Sequence, residues 1–138
     1  MSIDFSFIMS YKSKGSNAER ELIHAFWKKQ YAAFRSAGSG SNAYPCPDII
    51  AGNNIRKFAI ECKSTKSIKQ YLTRKEVTEL ITFGKIFGAQ VWFAIRFDRL
   101  QWFFLTPDDL DETEGENFVV SIELAKRKGL SFEELVTF

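Results

Sequence analysis

Cysteine and long apolar runs are scarce in this sequence, and each shortage removes a class of protein. Two cysteines, Cys46 and Cys62, in 138 residues are too few for a disulfide framework or a zinc site. They read as reduced thiols of a cytoplasmic protein. No apolar run approaches the roughly 20 residues of a membrane span, which excludes a membrane-spanning helix. The N-terminal stretch Ile3–Met9 is apolar, but it carries Asp4 and has no basic region before it, so it does not read as a secretory signal. Internal repeats and low-complexity tracts are also missing. The single histidine, His24, falls on the polar face of a predicted helix with Arg20 and Lys28 and is given no role.

What is present is an ordinary globular composition, 45% hydrophobic and 26% charged, which excludes a disordered chain. The length suits one domain over 1–138 that buries roughly two-thirds of its unfolded surface. Aromatics reach 15%, with 14 Phe, more than one small core needs. Phe83, Phe87, Phe93, Trp92 and Trp102 are therefore candidates for a subunit interface, with core packing as the alternative for each. The net charge of +2 hides a strong asymmetry. From Lys12 to Lys75 there are 13 basic and 4 acidic residues; from Glu76 to Phe138 there are 6 basic and 12 acidic. A basic first half points to a face that binds a polyanion. Three of its four acids, Glu19, Asp48 and Glu61, are the ones best suited to chemistry.

Residues 1–13 read as a tail or an extra edge strand. Ser16-Asn-Ala-Glu19 has the form of a capping box and predicts a helix start, with Leu22, Ile23, Phe26 and Trp27 as the apolar stripe and an end near Gln30. Residues 31–35 suit a short strand, and the Gly- and Ser-rich stretch 36–44 a loop. Asp48-Ile-Ile-Ala51, the turn signal Gly52-Asn53-Asn54 and the alternating run Arg56–Lys63 predict a β-hairpin with a half-buried second strand. Residues 64–72 are polar and read as a loop. Thr73-Arg-Lys-Glu76 is a second capping box, followed by helical spacing at Val77, Leu80, Ile81, Gly84 and Phe87 and a stop at Gly88. Val91–Phe97 and Leu100–Leu105 read as strands joined at Asp98-Arg99. Thr106-Pro107 opens a helical turn, residues 111–117 form an acidic loop, and Ser131-Phe-Glu-Glu134 caps a final short helix. The fold class is α/β: a mixed β-sheet flanked by helices.

The pattern that carries chemistry is Pro47-Asp48, then twelve residues, then Glu61-Cys62-Lys63. Glu61 and Lys63 stand two apart on a strand and share a face, ~6–7 Å apart along it. A hairpin turn centred near Asn54–Ile55 puts Asp48 opposite Glu61. Two carboxylates and an amine then converge. Paired carboxylates hold a hard divalent cation such as Mg²⁺ through oxygen, with Mn²⁺ as a substitute. The Cys62 backbone carbonyl, between them, is a further candidate ligand, and its thiol points to the core. A lysine there orients an attacking water or stabilises charge on a phosphate, which suits in-line phosphodiester hydrolysis. As a regular expression the pattern is weak, since Glu-x-Lys is also a common surface salt pair. The basic surround and the hairpin favour the catalytic reading. Glu19 fits either a helix cap or a carboxylate of the site. Arg20 and Arg35 fit either surface charge or phosphate contact, as do Lys66, Lys69, Tyr71 and Arg74. Ser39 and Ser41 place hydroxyls in the loop, for chemistry or for solubility.

Together these segments carry a resemblance. Lys14-Gly-Ser-Asn-Ala-Glu-Arg20, Phe34-Arg-Ser-Ala-Gly-Ser-Gly-Ser41, Pro47-Asp-Ile-Ile-Ala51 and Ile60-Glu-Cys-Lys-Ser64 resemble the archaeal Holliday junction resolvases. The likeness continues through Tyr71–Phe83 and Leu110–Val136, nearly the whole chain after residue 12. It implies a restriction-endonuclease-like fold, a homodimer bound to four-way DNA junctions, and symmetric Mg²⁺-dependent cleavage of two opposing strands. Carried over, it makes Asp48 and Glu61 metal ligands, Lys63 the catalytic lysine and Glu19 the helix carboxylate that joins the metal set. It also assigns DNA handling to Arg20 and Arg35 and a catalytic helper role to Ser39, with Ser41 open. The family's loop is usually richer in Lys and Arg than Ser41-Asn-Ala-Tyr44. Some relatives carry Gln where this chain has Glu76, read here as a cap alone. The rival expectations are a nuclease of the same fold that cuts ordinary duplex, and a non-catalytic junction-binding protein.

Overall fold

The structure is a computed structural model that describes residues 14–37 and 43–137. The expected tail or edge strand at 1–13 and the loop serines Ser39 and Ser41 lie outside the described residues. Element order is α1 (Lys14–Lys28), β1 (Ala32–Arg35), β2 (Ile49–Gly52), β3 (Lys57–Thr65), β4 (Lys69–Leu72), α2 (Arg74–Phe87), β5 (Gln90–Phe97) and β6 (Trp102–Leu105). A 3₁₀ turn (Pro107–Asp109), β7 (Asp111–Glu112), β8 (Phe118–Ser121), α3 (Ile122–Lys128) and α4 (Phe132–Thr137) complete it.

A mixed five-stranded sheet in the order β1-β2-β3-β5-β6 forms the centre. β2 and β3 make the expected antiparallel hairpin, with Gly52 facing Lys57 across the turn. The Asn53 carboxamide caps that turn by accepting from the N–H groups of Ile55 and Arg56, each at 2.8 Å. β3 and β5 run parallel, which requires a crossover, and α2 lies within it. The central strand is covered on both faces rather than half-buried. Phe58, Ile60 and Cys62 pack with Leu22 and Phe26 of α1, while Ala59 packs with Val77 and Leu80 of α2. The alternation of β3 holds, and a helix sits on each side of it.

Two helices show how local sequence sets boundaries. α2 starts where its capping box says: the Thr73 hydroxyl accepts from the Glu76 N–H, and the Glu76 carboxylate accepts from the Thr73 N–H. It stops at Gly88, whose φ of +81° only glycine adopts easily. α1 departs from expectation. It spans Lys14–Lys28, so Ser16 lies inside it and Glu19 in its second turn, where the carboxylate accepts from Arg35. The helix ends at Lys28, with Gln30 at φ +66° closing the turn.

The larger miss is a second sheet. The predicted loop 64–72 contains β4, and the acidic loop 111–117 contains β7. Both pair antiparallel with β8, giving the order β4-β8-β7. α3 follows β8 directly and is capped by Ser121. Ser131 and Glu134 form the expected reciprocal cap of α4.

Candidate active site

The hairpin register delivers the central constellation. Ile49 pairs with Ile60, so Asp48 stands opposite Glu61 just past the end of β2. The Asp48 N–H donates to the Ile60 carbonyl at 3.0 Å. Asp48 Oδ2 accepts from the Cys62 N–H at 2.8 Å, which fixes the carboxylate against the strand that carries Glu61. Pro47 is buried, and its carbonyl accepts from the Ser36 hydroxyl at 2.6 Å, tying the segment before Asp48 to the end of β1. The Cys62 thiol is buried in the core as expected. Burial first, and the nearby acids second, push it well above its ordinary range, so it is an inert thiol.

Electrostatics bind these side chains into one unit. Burial pushes the Glu61 carboxyl up to about 8. The Asp48 charge pushes the same way, Lys63 pulls back, and a hydrogen bond with Asp48 adds to the rise. A buried carboxyl hydrogen-bonded to a second carboxyl in this way forms, with it, an oxygen donor pair that a divalent cation would relieve. Lys63 points to the α2 face and forms an ion pair with Glu76. Burial opposes its charge, but Glu76, Glu61 and Asp48 outweigh that and raise it. Glu76 is lowered; burial opposes this, and Lys63 and the Thr73 cap prevail. The reading of Glu76 as a cap alone is therefore corrected: the same carboxylate caps α2 and pairs with Lys63.

Glu19 comes from the other side of the sheet. Its Oε1 accepts from Arg35 Nε at 3.1 Å. Burial raises its carboxyl first and the charge of Asp48 second, while Arg35 and Arg20 lower it. Glu19 is thus within electrostatic range of Asp48 but not beside it. Among the described residues no three acids, cysteines or histidines stand close enough to hold an ion together. The pair Asp48–Glu61 is assembled; the expected third carboxylate is turned to Arg35. Arg20 Nη1 is buried with no hydrogen-bond partner among the described residues, a donor that an anion would satisfy.

The other expected DNA contacts divide. Lys66, Lys69 and Tyr71 are exposed on the β3–β4 segment. Arg74 is exposed but engaged: its Nε donates to the Glu116 carbonyl at 2.7 Å, its Nη2 is 3.6 Å from Glu112, and its guanidinium lies 4.9 Å from the Phe118 ring centroid. It braces the acidic turn of the second sheet. A groove of about 580 Å³ opens beside Glu19, lined among others by Ser64, Lys66, Arg96 and Arg99. Arg96 pairs with Glu21 at 3.1 Å. Arg96, Arg99 and the Glu76–Lys63 pair were not found from sequence. For Glu76 the available signal was the capping box that puts it at the start of α2; Arg96 and Arg99 had none, because the pairing that sets Arg96 beside Ser64 joins segments far apart in sequence.

Comparison with known proteins identifies the family. The model of the archaeal Holliday junction resolvase (Hjc) family matches residues 10–138. The crossover junction endodeoxyribonuclease Hjc of Archaeoglobus fulgidus is 41% identical over 130 residues, 89% of this chain and 95% of that protein. The Hjc of Methanocaldococcus jannaschii is 35% identical over 123 residues, 89% and 86% of the two chains. The solved structure of A. fulgidus Hjc, a Holliday junction resolvase, superposes with a TM-score of 0.81 at 38% identity, covering 88% of this chain and 99% of that one.

Proposed function

The chain belongs to the archaeal Holliday junction resolvase family, and from that membership we infer that it is a structure-selective DNA endonuclease that resolves four-way junctions. The family is one of divalent-metal-dependent nucleases. The finer reading is that the metal is Mg²⁺, that Asp48, Glu61 and Lys63 are the active site, and that a homodimer makes two symmetric cuts. The observation that supports it is the register that sets Asp48 opposite Glu61, with Lys63 two residues further on the same face.

The donor chemistry fits a hard cation. Asp48 and Glu61 offer carboxylate oxygens, and burial together with mutual repulsion leaves Glu61 protonated to about 8 when nothing relieves the pair. Asp48 and Glu61 would hold the ion, with the Cys62 carbonyl as a further ligand. When bound, a divalent cation supplies Lewis-acid polarisation of the scissile phosphate. The remaining work falls to the chain's own groups. Lys63 sets a positive charge beside the reacting phosphate and orients the incoming water, giving 5′-phosphate and 3′-hydroxyl ends. Arg20 and Arg35 take phosphate oxygens, and Glu19 flanks the pair as the helix carboxylate. Lys66 and Lys69 carry the neighbouring backbone. Ser39, or Ser41, assists from the loop.

The homodimer reading has a surface to rest on. Of the spare aromatics, Phe93 and Trp102 are core residues, 0% and 7% exposed, and Trp92 packs against the core. Phe87 remains exposed, stacked on Phe83 at 5.2 Å, with Ile86 beside it and Phe34 exposed on β1. A two-fold dimer through α2 would cover Ile86 and Phe87 and match the two-fold symmetry of the junction. No helix among the described residues is long and apolar enough to cross a membrane, and we place the enzyme in the cytoplasm with its DNA.

The test is nicking of a synthetic four-way junction in Mg²⁺ beside a linear duplex of the same sequence. Paired symmetric nicks confined to the junction are expected. Equal cutting of both substrates would keep the nuclease and discard the resolvase, and tight binding without any cutting would favour a junction-binding protein.

A further inference from the structure

We propose that Glu76 is the positioning residue for Lys63, and that it keeps the lysine ammonium away from the Asp48–Glu61 pair so that the pair stays open to a cation. The proposal rests on reading Lys63 as the catalytic lysine.

The two oxygens of Glu76 have separate tasks. Oε1 accepts from the Thr73 N–H at 2.9 Å and from the Thr73 hydroxyl at 3.2 Å. Oε2 faces Lys63 Nζ. Exposed ion pairs usually contribute little, because two long side chains must be ordered and water screens them. Neither objection has full force here. The helix cap has already ordered Glu76, and the two side chains are only 28% and 27% exposed.

The alternative partners of Lys63 explain why a bracket is needed. Glu61 shares its face of β3, and Asp48 lies opposite Glu61. Both act on the lysine electrostatically, after Glu76. Without Glu76, the nearest anions for the ammonium are the two carboxylates that would hold the metal. A lysine folded onto them competes with the cation and loses its own place beside the phosphate. Glu76 belongs to α2, a different element from the strands that carry Asp48 and Glu61, and draws the ammonium toward the helix. The capping box therefore links the start of α2 to the chemistry of β3.

The experiment compares wild type, Glu76→Ala, Glu76→Gln and Thr73→Ala, with Lys63→Ala as the control on the underlying reading. Three quantities are read: single-turnover cleavage of a four-way junction in Mg²⁺, junction affinity without metal, and Mn²⁺ binding to the DNA-free protein by calorimetry. Glu76→Ala is expected to lose about tenfold to a hundredfold in cleavage, the scale of a misplaced catalytic group. It should bind Mn²⁺ several-fold more weakly and keep its junction affinity. Gln has a single acceptor oxygen; with that oxygen in the Thr73 cap, its NH2 group cannot accept from the ammonium, so Glu76→Gln should keep the stability of wild type and show most of both losses. Thr73→Ala removes the hydroxyl's bonds but keeps the backbone N–H that holds Glu76 Oε1, so it should lower thermal stability and slow cleavage far less than Glu76→Ala. Should Glu76→Ala not fold, Glu76→Met takes its place.

Cleavage by Glu76→Ala at the wild-type rate overturns the proposal. Cleavage by Glu76→Gln at the wild-type rate also overturns it, since the cap alone would then suffice. Equal slowing by Thr73→Ala overturns it in favour of the helix cap. Lys63→Ala cutting at the wild-type rate would instead remove the reading of Lys63 on which the proposal stands.

Discussion

At the scale of single residues, the informative fact is a carboxyl that keeps its proton. Glu61 is raised from 4.5 to about 8, by burial first and by Asp48 second. A carboxyl with a higher pKa in the fold than in the unfolded chain binds more protons when folded. Stability therefore falls as pH climbs through the window from about 4.5 to about 8. Thermal unfolding in a chelator should show this fall for wild type. Glu61→Gln should flatten it, gaining over wild type as pH rises, and added divalent cation should restore wild type alone. Parallel curves for the two proteins would contradict the assignment. Asp48, Glu61 and Lys63 were legible in sequence because their spacing is local: a strand alternates, and a four-residue hairpin loop fixes which residues face each other. Glu19 was half legible. Ser16-x-x-Glu19 imitates a capping box, but the carboxylate goes to Arg35, a partner sixteen residues away that no local pattern announces. Glu76 shows the opposite failure: its capping box is real, and the cap concealed its second partner.

At the scale of elements, tight packing of α2 on the sheet positions the site. A Cβ at Gly84 would stand 2.3 Å from Val91 Cγ1 and 3.0 Å from the Ala89 carbonyl oxygen. The helix can lie this close to β5 only because residue 84 has no side chain. Gly84→Ala should therefore destabilise by about 1–3 kcal/mol through overpacking, despite the better helix propensity of alanine. Denaturant unfolding measures it, and a variant more stable than wild type would contradict the close approach. The elements that escaped the sequence reading share a physical cause. β4 and β7 are short, four and two residues, and mostly polar. Their partner β8 lies at residues 118–121, so loop 64–72 acquires its structure only from distant chain. The β2–β3 hairpin and α2 carry their own turn and caps, and were readable for that reason.

At the scale of the whole molecule, charge and apolar surface divide the labour. The basic first half supplies Arg20 and Arg35 beside Glu19 and Lys66 to the groove that Glu19 lines, while the acidic residues of the second half include Glu112 and Glu116 of the turn braced by Arg74. Lys66, Arg96 and Arg99 line the groove beside Glu19, which offers cations to a strand leaving the site. Exposed Phe87 and Ile86 give the proposed dimer its face. Phe87→Glu should convert a dimer to monomer in sedimentation and reduce paired cutting to single nicks; a wild-type protein already monomeric at working concentration would contradict that interface. Whether Asp48, Glu61 and Lys63 form the hydrolytic centre of a junction endonuclease can be read from cleavage and binding together. Single-turnover cleavage of a four-way junction in Mg²⁺ is compared for wild type, Glu61→Ala and Lys63→Met, with junction affinity measured on the same samples. Both variants are expected to bind the junction about as tightly as wild type and to leave it uncut. Retained cleavage by either protein would contradict that assignment of the centre.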